Sequence, residues 1–94
     1  MKVQWTQDAL NHLREAYDYI ELDKPSAAAR MADLIQAAAH HLSLFPEMGR
    51  PSKRPRTREL LVPGTPFILV YRVSGDALQI LALYHGAQDW QNRL

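Results

Sequence analysis

The stretch FILVYRVSGDALQILALYH, residues 67–85, decides the fold that this sequence predicts. Two runs rich in aliphatic and β-branched residues are separated by a Ser-Gly-Asp turn signal, which indicates two antiparallel strands. A two-residue turn at Gly75 and Asp76, with glycine first, would pair Arg72 with Gln79. A three-residue turn would mix polar and apolar side chains on each face, so we prefer the two-residue register.

This register assigns the side chains of the two strands to two faces of a sheet. One face is almost wholly apolar and is expected to carry the helices; it collects Phe67, Leu69, Tyr71, Val73, Leu78, Ile80, Ala82 and Tyr84. The other face is half aliphatic; it collects Ile68, Val70, Arg72, Gln79, Leu81, Leu83 and His85. Because no third helix is available to cover the second face, its aliphatic part predicts a surface that binds a protein partner.

Two amphipathic helices are predicted before this hairpin. Thr6 is a suitable N-cap for a helix that ends near Leu22, and apolar residues recur within it at helical spacing. Pro25 suits the first turn of a second helix, because its missing N–H would have no partner there; that helix ends near Phe45. Two such helices joined by a short link predict an antiparallel helical hairpin.

Two further strands complete the predicted sheet. VQW, residues 3–5, is long enough for one edge strand, and TRELLV, residues 57–62, adds a third strand to the antiparallel meander. The order is β-α-α-β-β-β. We therefore expect an α+β fold in which an N-terminal strand and a helical hairpin pack on an antiparallel sheet, as one domain over residues 1–94.

Composition excludes several classes of protein. Apolar residues make up 47% and charged residues 22%, as in ordinary folded domains. The absence of cysteine excludes disulfides and thiolate metal sites. His40 and His41 are adjacent on a helix, point about 100° apart and cannot chelate one metal ion, so we expect no metal and no cofactor. No apolar stretch suits a signal peptide or a membrane span, so we expect a cytoplasmic protein without a membrane partner.

The net charge of +1 conceals an uneven distribution of charge. Residues 1–45 hold six acidic and four basic side chains, whereas residues 46–94 hold four acidic and seven basic ones. Five cations lie in RPSKRPRTR, residues 50–58, where the prolines predict a surface loop. This basic loop is either a solvated surface or a contact for an anionic partner, and only Arg56 and Arg58 lie close enough to the sheet to act in a site.

Several segments together resemble the RelE/ParE superfamily of toxins from bacterial type II toxin–antitoxin modules. They are the helical hairpin, FPEMGRP after the second helix, TRELLVPGTPFILVYRV, and LQILALYHGAQDW near the end. The resemblance covers essentially the whole chain. It implies a growth-inhibiting toxin that a cognate antitoxin neutralises by wrapping a C-terminal segment around it, and that the two proteins can assemble into higher-order complexes.

Two activities occur in this superfamily. RelE-like members cleave mRNA in the ribosomal A site, using basic side chains and often a C-terminal tyrosine or histidine, whereas ParE-like members lack that set and inhibit DNA gyrase without being enzymes. If this chain is a ribonuclease, the resemblance makes Arg58, Arg72 and His85 the catalytic candidates, with Arg56 in support of Arg58.

Three places depart from the ribonuclease pattern. Phe67 and Ile68 stand where the ribonucleases place an arginine, and Ala87 and Gln88 stand where they have a basic residue. Gly86 follows His85 where the YoeB-like branch has a tyrosine. We therefore favour ParE-like inhibition of DNA gyrase and keep a RelE-like, ribosome-dependent mRNA endoribonuclease as the alternative. Whether the chain is an enzyme depends on that choice.

The residues predicted to bind the antitoxin or the cellular target come from the basic loop, the second sheet face and the C-terminal segment. They are Arg50, Arg56, Arg58, Ile68, Val70, Arg72, Leu81, Leu83, His85 and Trp90. Simpler roles remain open for two of them, because Arg72 could be an ordinary exposed strand residue and Trp90 could pack at the end of the chain. His12 is predicted to be a helix-surface residue only.

Overall fold

The computed structural model describes residues 1–86, and these form two helices packed on a five-stranded sheet. The elements, in chain order, are β1 (Lys2–Trp5), α1 (Gln7–Glu21), α2 (Pro25–Leu44), β2 (Arg50–Pro51), β3 (Arg58–Leu61), β4 (Phe67–Ser74) and β5 (Ala77–His85). The strand order across the sheet is β1-β5-β4-β3-β2. The predicted α+β fold, both helices and the β3-β4-β5 meander are confirmed.

The sheet differs from the prediction in two ways. First, it is mixed rather than antiparallel, because β1 pairs in parallel with β5. Second, the basic loop contains the two-residue strand β2, which pairs with β3 through Arg50 opposite Glu59 and Pro51 opposite Arg58. The prolines made this segment look like a loop throughout, but proline is tolerated on an edge strand, where its missing N–H need not join the ladder.

The turn between β4 and β5 has the predicted form. Gly75 has a φ of 60°, whereas Asp76 is not among the residues with positive φ, as expected for a two-residue turn with glycine first. Near this turn the predicted register is confirmed, since Arg72 lies opposite Gln79. A hydrogen bond of 2.8 Å from the Arg72 Nε to the Gln79 Oε1 also joins this pair.

Farther from the turn, a β-bulge shifts the register by one residue. Tyr71 lies opposite Ile80, but Val70 lies opposite Ala82, so Leu81 is the extra residue on β5. A shift of one residue exchanges the two faces of a strand. The predicted faces are therefore wrong for the end of β5, and Leu83 belongs to the core beneath the helices.

The bulge lies where β1 ends and α1 begins. β1 covers the edge of β5 only as far as Ile80. Beyond Ile80, Thr6 contacts the edge of β5 in place of β1. Its hydroxyl donates to the Leu81 carbonyl at 3.3 Å and accepts the Ala9 N–H at 3.2 Å as the N-cap of α1. One side chain thus both begins the helix and satisfies the carbonyl of the bulged residue.

His12 continues this edge and is more than a helix-surface residue. Its Nδ1 accepts the backbone N–H of Leu83 at 3.3 Å, and its ring lies 4.8 Å from the ring of Tyr84 between centroids. Side chains of α1 therefore complete the edge of β5 beyond the point where β1 ends.

The core lies between the helices and one face of the sheet. Its fully buried members come from both helices and from the central strands, and the largest are Tyr71, Ile35, Leu42, Leu69, Leu78 and Ile80. A smaller cluster of Val70, Ala82 and Tyr84 lies on the other face. Within the described part of the chain, no helix is long and apolar enough to cross a membrane.

Candidate anion-binding site

Short polar side chains close the tip of the β2–β3 hairpin, residues 52–57. The Ser52 N–H donates to the Thr57 carbonyl at 3.0 Å, and the Thr57 hydroxyl donates to the Arg54 carbonyl at 2.8 Å. Arg56 has a φ of 62°, in the left-handed region that non-glycine residues seldom adopt. The tip is thus a closed turn with a defined backbone conformation.

Four arginines border one cavity of about 320 Å³ between this tip and the end of the sheet. Arg54 and Arg56 come from the tip, Arg58 begins β3, and Arg72 lies near the end of β4. We call this space the arginine cavity. No aspartate or glutamate is among the described residues that line it, so its electrostatic potential favours an anion such as a phosphate or a carboxylate.

Two of these arginines are anchored by hydrogen bonds. The Arg58 Nη1 donates to the Gly49 carbonyl at 2.7 Å, and the Arg72 Nε donates to Gln79. Each guanidinium carries five N–H donors, so donors remain for an incoming anion. Arg54 and Arg56 are exposed and can adapt to a ligand, whereas Arg58 is half-buried and fixed.

Tyr71 borders the arginine cavity but is itself fully buried in the core, and its hydroxyl bonds to the segment between α2 and β2. Its hydroxyl accepts the Gly49 N–H at 2.9 Å and donates to the Pro46 carbonyl at 2.8 Å. Burial raises the pKa of Tyr71, and the Gly49 hydrogen bond and the charge of Arg58 oppose that shift only in part. The phenol is therefore held neutral with its proton engaged, and it is unsuited to accept a proton from a substrate.

His85 lies at the other end of the sheet from the arginine cavity. It is opposite Phe67, and the two rings meet edge to face with centroids 5.7 Å apart. Phe67 precedes Tyr71 by four residues on β4, so roughly 13 Å of strand separates His85 from the arginines. The ribonuclease candidates Arg58 and Arg72 are thus brought together, but His85 is not with them.

The bulge also changes the place of His85 on the sheet. The register predicted it on the second face, which it would share with Arg72, but its partner Phe67 belongs to the helix-facing core. His85 borders a cavity of about 580 Å³ that side chains of α1, including His12 and Tyr19, also line. Among residues 1–86, no group of three His, Asp or Glu side chains lies close enough to hold a metal ion.

The open aliphatic patch predicted on the second face is not present in that form. Leu83 is 4% exposed and faces the helices, and Val70 has no exposed surface. Ile68 and Leu81 are only half-buried. Contact of these four residues with a partner stays a prediction, but only Ile68 and Leu81 offer appreciable surface for it.

Comparison with known proteins identifies the family. A match to the family described as the ParE toxin of the type II toxin–antitoxin system parDE covers residues 3–90. The chain belongs to the ParE toxin family. The confirmed fold and this match bear out the resemblance to RelE/ParE toxins that the sequence indicated.

Relatives of this ParE-family chain are toxins or toxin candidates, and one of them carries the RelE name. It is 42% identical over 95% of its length to the toxin candidate Y4kP of Sinorhizobium fredii, covering 92% of that protein. It is 34% identical over 93% of its length to the toxin RelE2 of Caulobacter vibrioides, covering 97% of that protein.

One solved structure shares the fold closely. The chromosomal ParDE toxin–antitoxin system of P. aeruginosa matches with a TM-score of 0.81 and 30% identity, over 90% of this chain and 95% of that one. The chain is therefore a toxin of a type II toxin–antitoxin module, in the ParE/RelE superfamily.

The ParE-family chain has functional candidates that sequence reasoning missed. Glu59 is 7% exposed and pairs with Arg50, whose Nη2 lies 2.6 Å from the Glu59 Oε1. Arg50, predicted as a binding residue, is thus partly engaged within the chain, although its side chain remains 77% exposed. Alternation along β3 could have placed Glu59 on the face of Val70, but its partner lies in the unpredicted strand β2. Trp90, also a predicted contact, lies outside the described residues.

Proposed function

We propose that this toxin acts as a ParE-like inhibitor of DNA gyrase, and that it inhibits by binding rather than by catalysis. The observation that carries the proposal is the composition of the arginine cavity. It joins four cations with a tyrosine whose hydroxyl is committed to Gly49 and Pro46. Such a site suits the binding of an acidic or phosphate-bearing surface.

RNA cleavage through the 2′-hydroxyl has stricter requirements. It needs a base, a proton donor for the leaving oxygen and cations against the developing charge. Arg58 and Arg72 could supply the cations. Among the described residues, the histidine that could move a proton is His85, and it lies roughly 13 Å along the sheet from them. That separation argues against RNA cleavage at the arginine cavity.

The alternative function is a ribosome-dependent mRNA endoribonuclease. It is favoured by the adjacency of Arg58 and Arg72 around one cavity, which would suit a phosphate on the RNA backbone. This function requires that the proton acceptor come from outside the cavity.

We also infer that the toxin is neutralised by a cognate antitoxin. The inference is supported by the ParDE structure, which is described as a toxin–antitoxin system. A more distant neighbour, the toxin–antitoxin complex RelBE2 of Mycobacterium tuberculosis, has a TM-score of 0.61 and 24% identity over 89% of this chain and 95% of that one, and it supports the fold alone. The arginine cavity would suit an acidic segment of the antitoxin, and higher-order assembly of the complex remains part of the proposal.

Expression of the toxin without its antitoxin in a bacterial host tests the choice of target. Incorporation of labelled thymidine and labelled methionine would be followed after induction, with RNA 5′ ends mapped in the same cells. Inhibition of gyrase predicts DNA damage and an early fall in DNA synthesis, while mRNA stays intact. An immediate fall in protein synthesis with new cuts in mRNA would contradict the proposal. An inert toxin that still binds the antitoxin would show that only partner binding is retained.

A further inference from the structure

Glu59 has one carboxylate oxygen with a partner and one without. The Oε1 accepts from the Arg50 Nε at 2.7 Å and from its Nη2 at 2.6 Å. The Oε2 is buried and has no hydrogen-bond partner among the described residues, although the residue is only 7% exposed. Buried polar atoms in folded proteins nearly always have a partner, so an unpartnered carboxylate oxygen calls for an explanation.

Glu59 also lines a cleft of about 510 Å³ at the edge of the sheet. The walls of this Glu59 cleft include Met48, Leu61 and Ile68. Met48 is 44% exposed and Leu61 is 60% exposed, so the cleft has an accessible apolar rim. A cleft that combines this apolar rim with a residue whose buried acceptor is unsatisfied suits a ligand that offers one polar group together with apolar neighbours.

Charge selects the kind of group that fits. The Arg50 guanidinium already balances the charge of Glu59. An incoming cation would be repelled by Arg50 and by the cations of the nearby hairpin tip, residues 52–57, whereas an incoming carboxylate would be repelled by Glu59 itself. An uncharged hydrogen-bond donor satisfies the Oε2 without either penalty.

We propose that the Glu59 cleft is a specificity site for the antitoxin. The antitoxin inserts an asparagine, glutamine, serine or threonine side chain that donates to the Glu59 Oε2, and an adjoining apolar side chain covers Met48 and Leu61. This proposal rests on the proposed function, because it takes the partner to be a cognate antitoxin. It adds the chemistry of the segment that binds.

The substitution Glu59→Gln gives a sharp test, because it preserves shape and inverts one hydrogen bond. Arg50 needs an acceptor, so the glutamine places its Oε1 toward Arg50 and its NH2 group where the Oε2 was. A donor then faces the donor of the antitoxin. Calorimetric titration with the purified protein from the adjoining reading frame should show 10- to 100-fold weaker binding, as expected when a hydrogen bond to a charged group is lost.

Two further variants separate the cleft from general effects on charge and folding. Lys53→Gln removes an exposed charge from the same hairpin without touching Glu59, and its affinity should stay within about threefold of wild type. Leu61→Lys changes a side chain that is 60% exposed, so the fold should be retained, while the charge obstructs the apolar rim. Binding by this variant should fall by about tenfold or more. Thermal unfolding of each free variant shows whether it is folded.

The outcomes separate this proposal from the proposed function. If the wild-type toxin fails to bind the protein from the adjoining reading frame, the inferred neutralisation by a cognate antitoxin is contradicted, whereas the proposed inhibition of gyrase is not affected. If wild type binds and both Glu59→Gln and Leu61→Lys bind equally well, the Glu59 cleft is not an antitoxin site. If Glu59→Gln does not fold, Leu61→Lys decides. If the effect of Glu59→Gln disappears when salt is raised to about 0.5 M, the inserted group is a cation and the assignment of a neutral donor is wrong.

Discussion

Replacing Tyr71 with phenylalanine tests whether one hydroxyl group holds the hairpin and the arginine cavity on the core. The ring is fully buried and would remain in place. What is lost is the acceptor for the Gly49 N–H, at 2.9 Å, and the donor to the Pro46 carbonyl, at 2.8 Å. The variant therefore removes two hydrogen bonds without opening a large cavity.

The size of the effect follows from those two contacts. A neutral hydrogen bond contributes about 0.5–1.5 kcal/mol net, and a buried group left without a partner costs about 1–3 kcal/mol. Because Gly49 is buried, its N–H cannot form a replacement hydrogen bond with water when the hydroxyl is removed. We expect a loss of about 2–3 kcal/mol in the free energy of unfolding, or roughly 10–20 °C in Tm for a domain of this size.

The same substitution should change the alkaline limit of stability. Burial raises the pKa of Tyr71 in the folded protein, so the folded state holds its proton more tightly than the unfolded state does. The stabilisation that this raised pKa provides is fully present below the ordinary tyrosine pKa of about 10, and it is lost as the pH rises through the pKa of Tyr71 in the folded protein. The free energy of unfolding of the wild type should therefore decrease as the pH rises above about 10. The part of this decrease that comes from Tyr71 should be absent in Tyr71→Phe.

Urea unfolding followed by circular dichroism, at neutral pH and at several pH values above 9, measures both effects. Tyr19→Phe is the matched control, because Tyr19 is 79% exposed and its loss of a hydroxyl should change stability by less than about 0.5 kcal/mol. If Tyr71→Phe were as stable as wild type and showed the same alkaline decline, the assigned role of the hydroxyl would be refuted.

Three further predictions concern the β5 edge and His85. His12→Ala removes the acceptor of the Leu83 N–H and the ring against Tyr84, so we expect about 1–2 kcal/mol lower stability and faster hydrogen exchange at the Leu83 amide; unchanged exchange would refute the contact. Leu83→Ala should lower the free energy of unfolding in urea by about 2–5 kcal/mol, because the bulge buries Leu83. Leu61→Ala should leave it nearly unchanged, because Leu61 is exposed. Equal effects of the two substitutions would contradict the shifted register. His85→Ala should remain toxic in a plate assay of growth inhibition, because inhibition by binding needs no proton transfer there; loss of toxicity with retained antitoxin binding would favour the ribonuclease.

The sequence predicted the secondary structure correctly where interactions between neighbouring residues determine it. Glycine at position 75 determines the turn, and the alternation on either side of it determines the first four pairs of the hairpin. Thr6 and Pro25 mark the starts of the two helices for equally local reasons.

The sequence failed where distant contacts decide. The bulge at Leu81 depends on where β1 ends and on the Thr6 hydroxyl, which is 75 residues away along the chain. One unforeseen bulge was enough to turn Leu83 inward and to move His85 off the face that it was predicted to share with Arg72. The burial of Glu59 likewise depends on Arg50 in a strand of two residues, which is too short to leave a periodic signal. The sequence named Arg58 and Arg72 as separate candidates, but it did not predict that both border one cavity, because the register of β3 against β4, with Arg58 opposite Tyr71, leaves no local signal.

The most direct test of the central claim is a supercoiling assay with purified DNA gyrase and purified toxin, run beside an assay of mRNA on purified ribosomes. Inhibition of gyrase predicts that the toxin blocks supercoiling at concentrations that leave ribosome-bound mRNA intact, and that the antitoxin restores supercoiling. Normal supercoiling together with cleaved mRNA would contradict the proposed function.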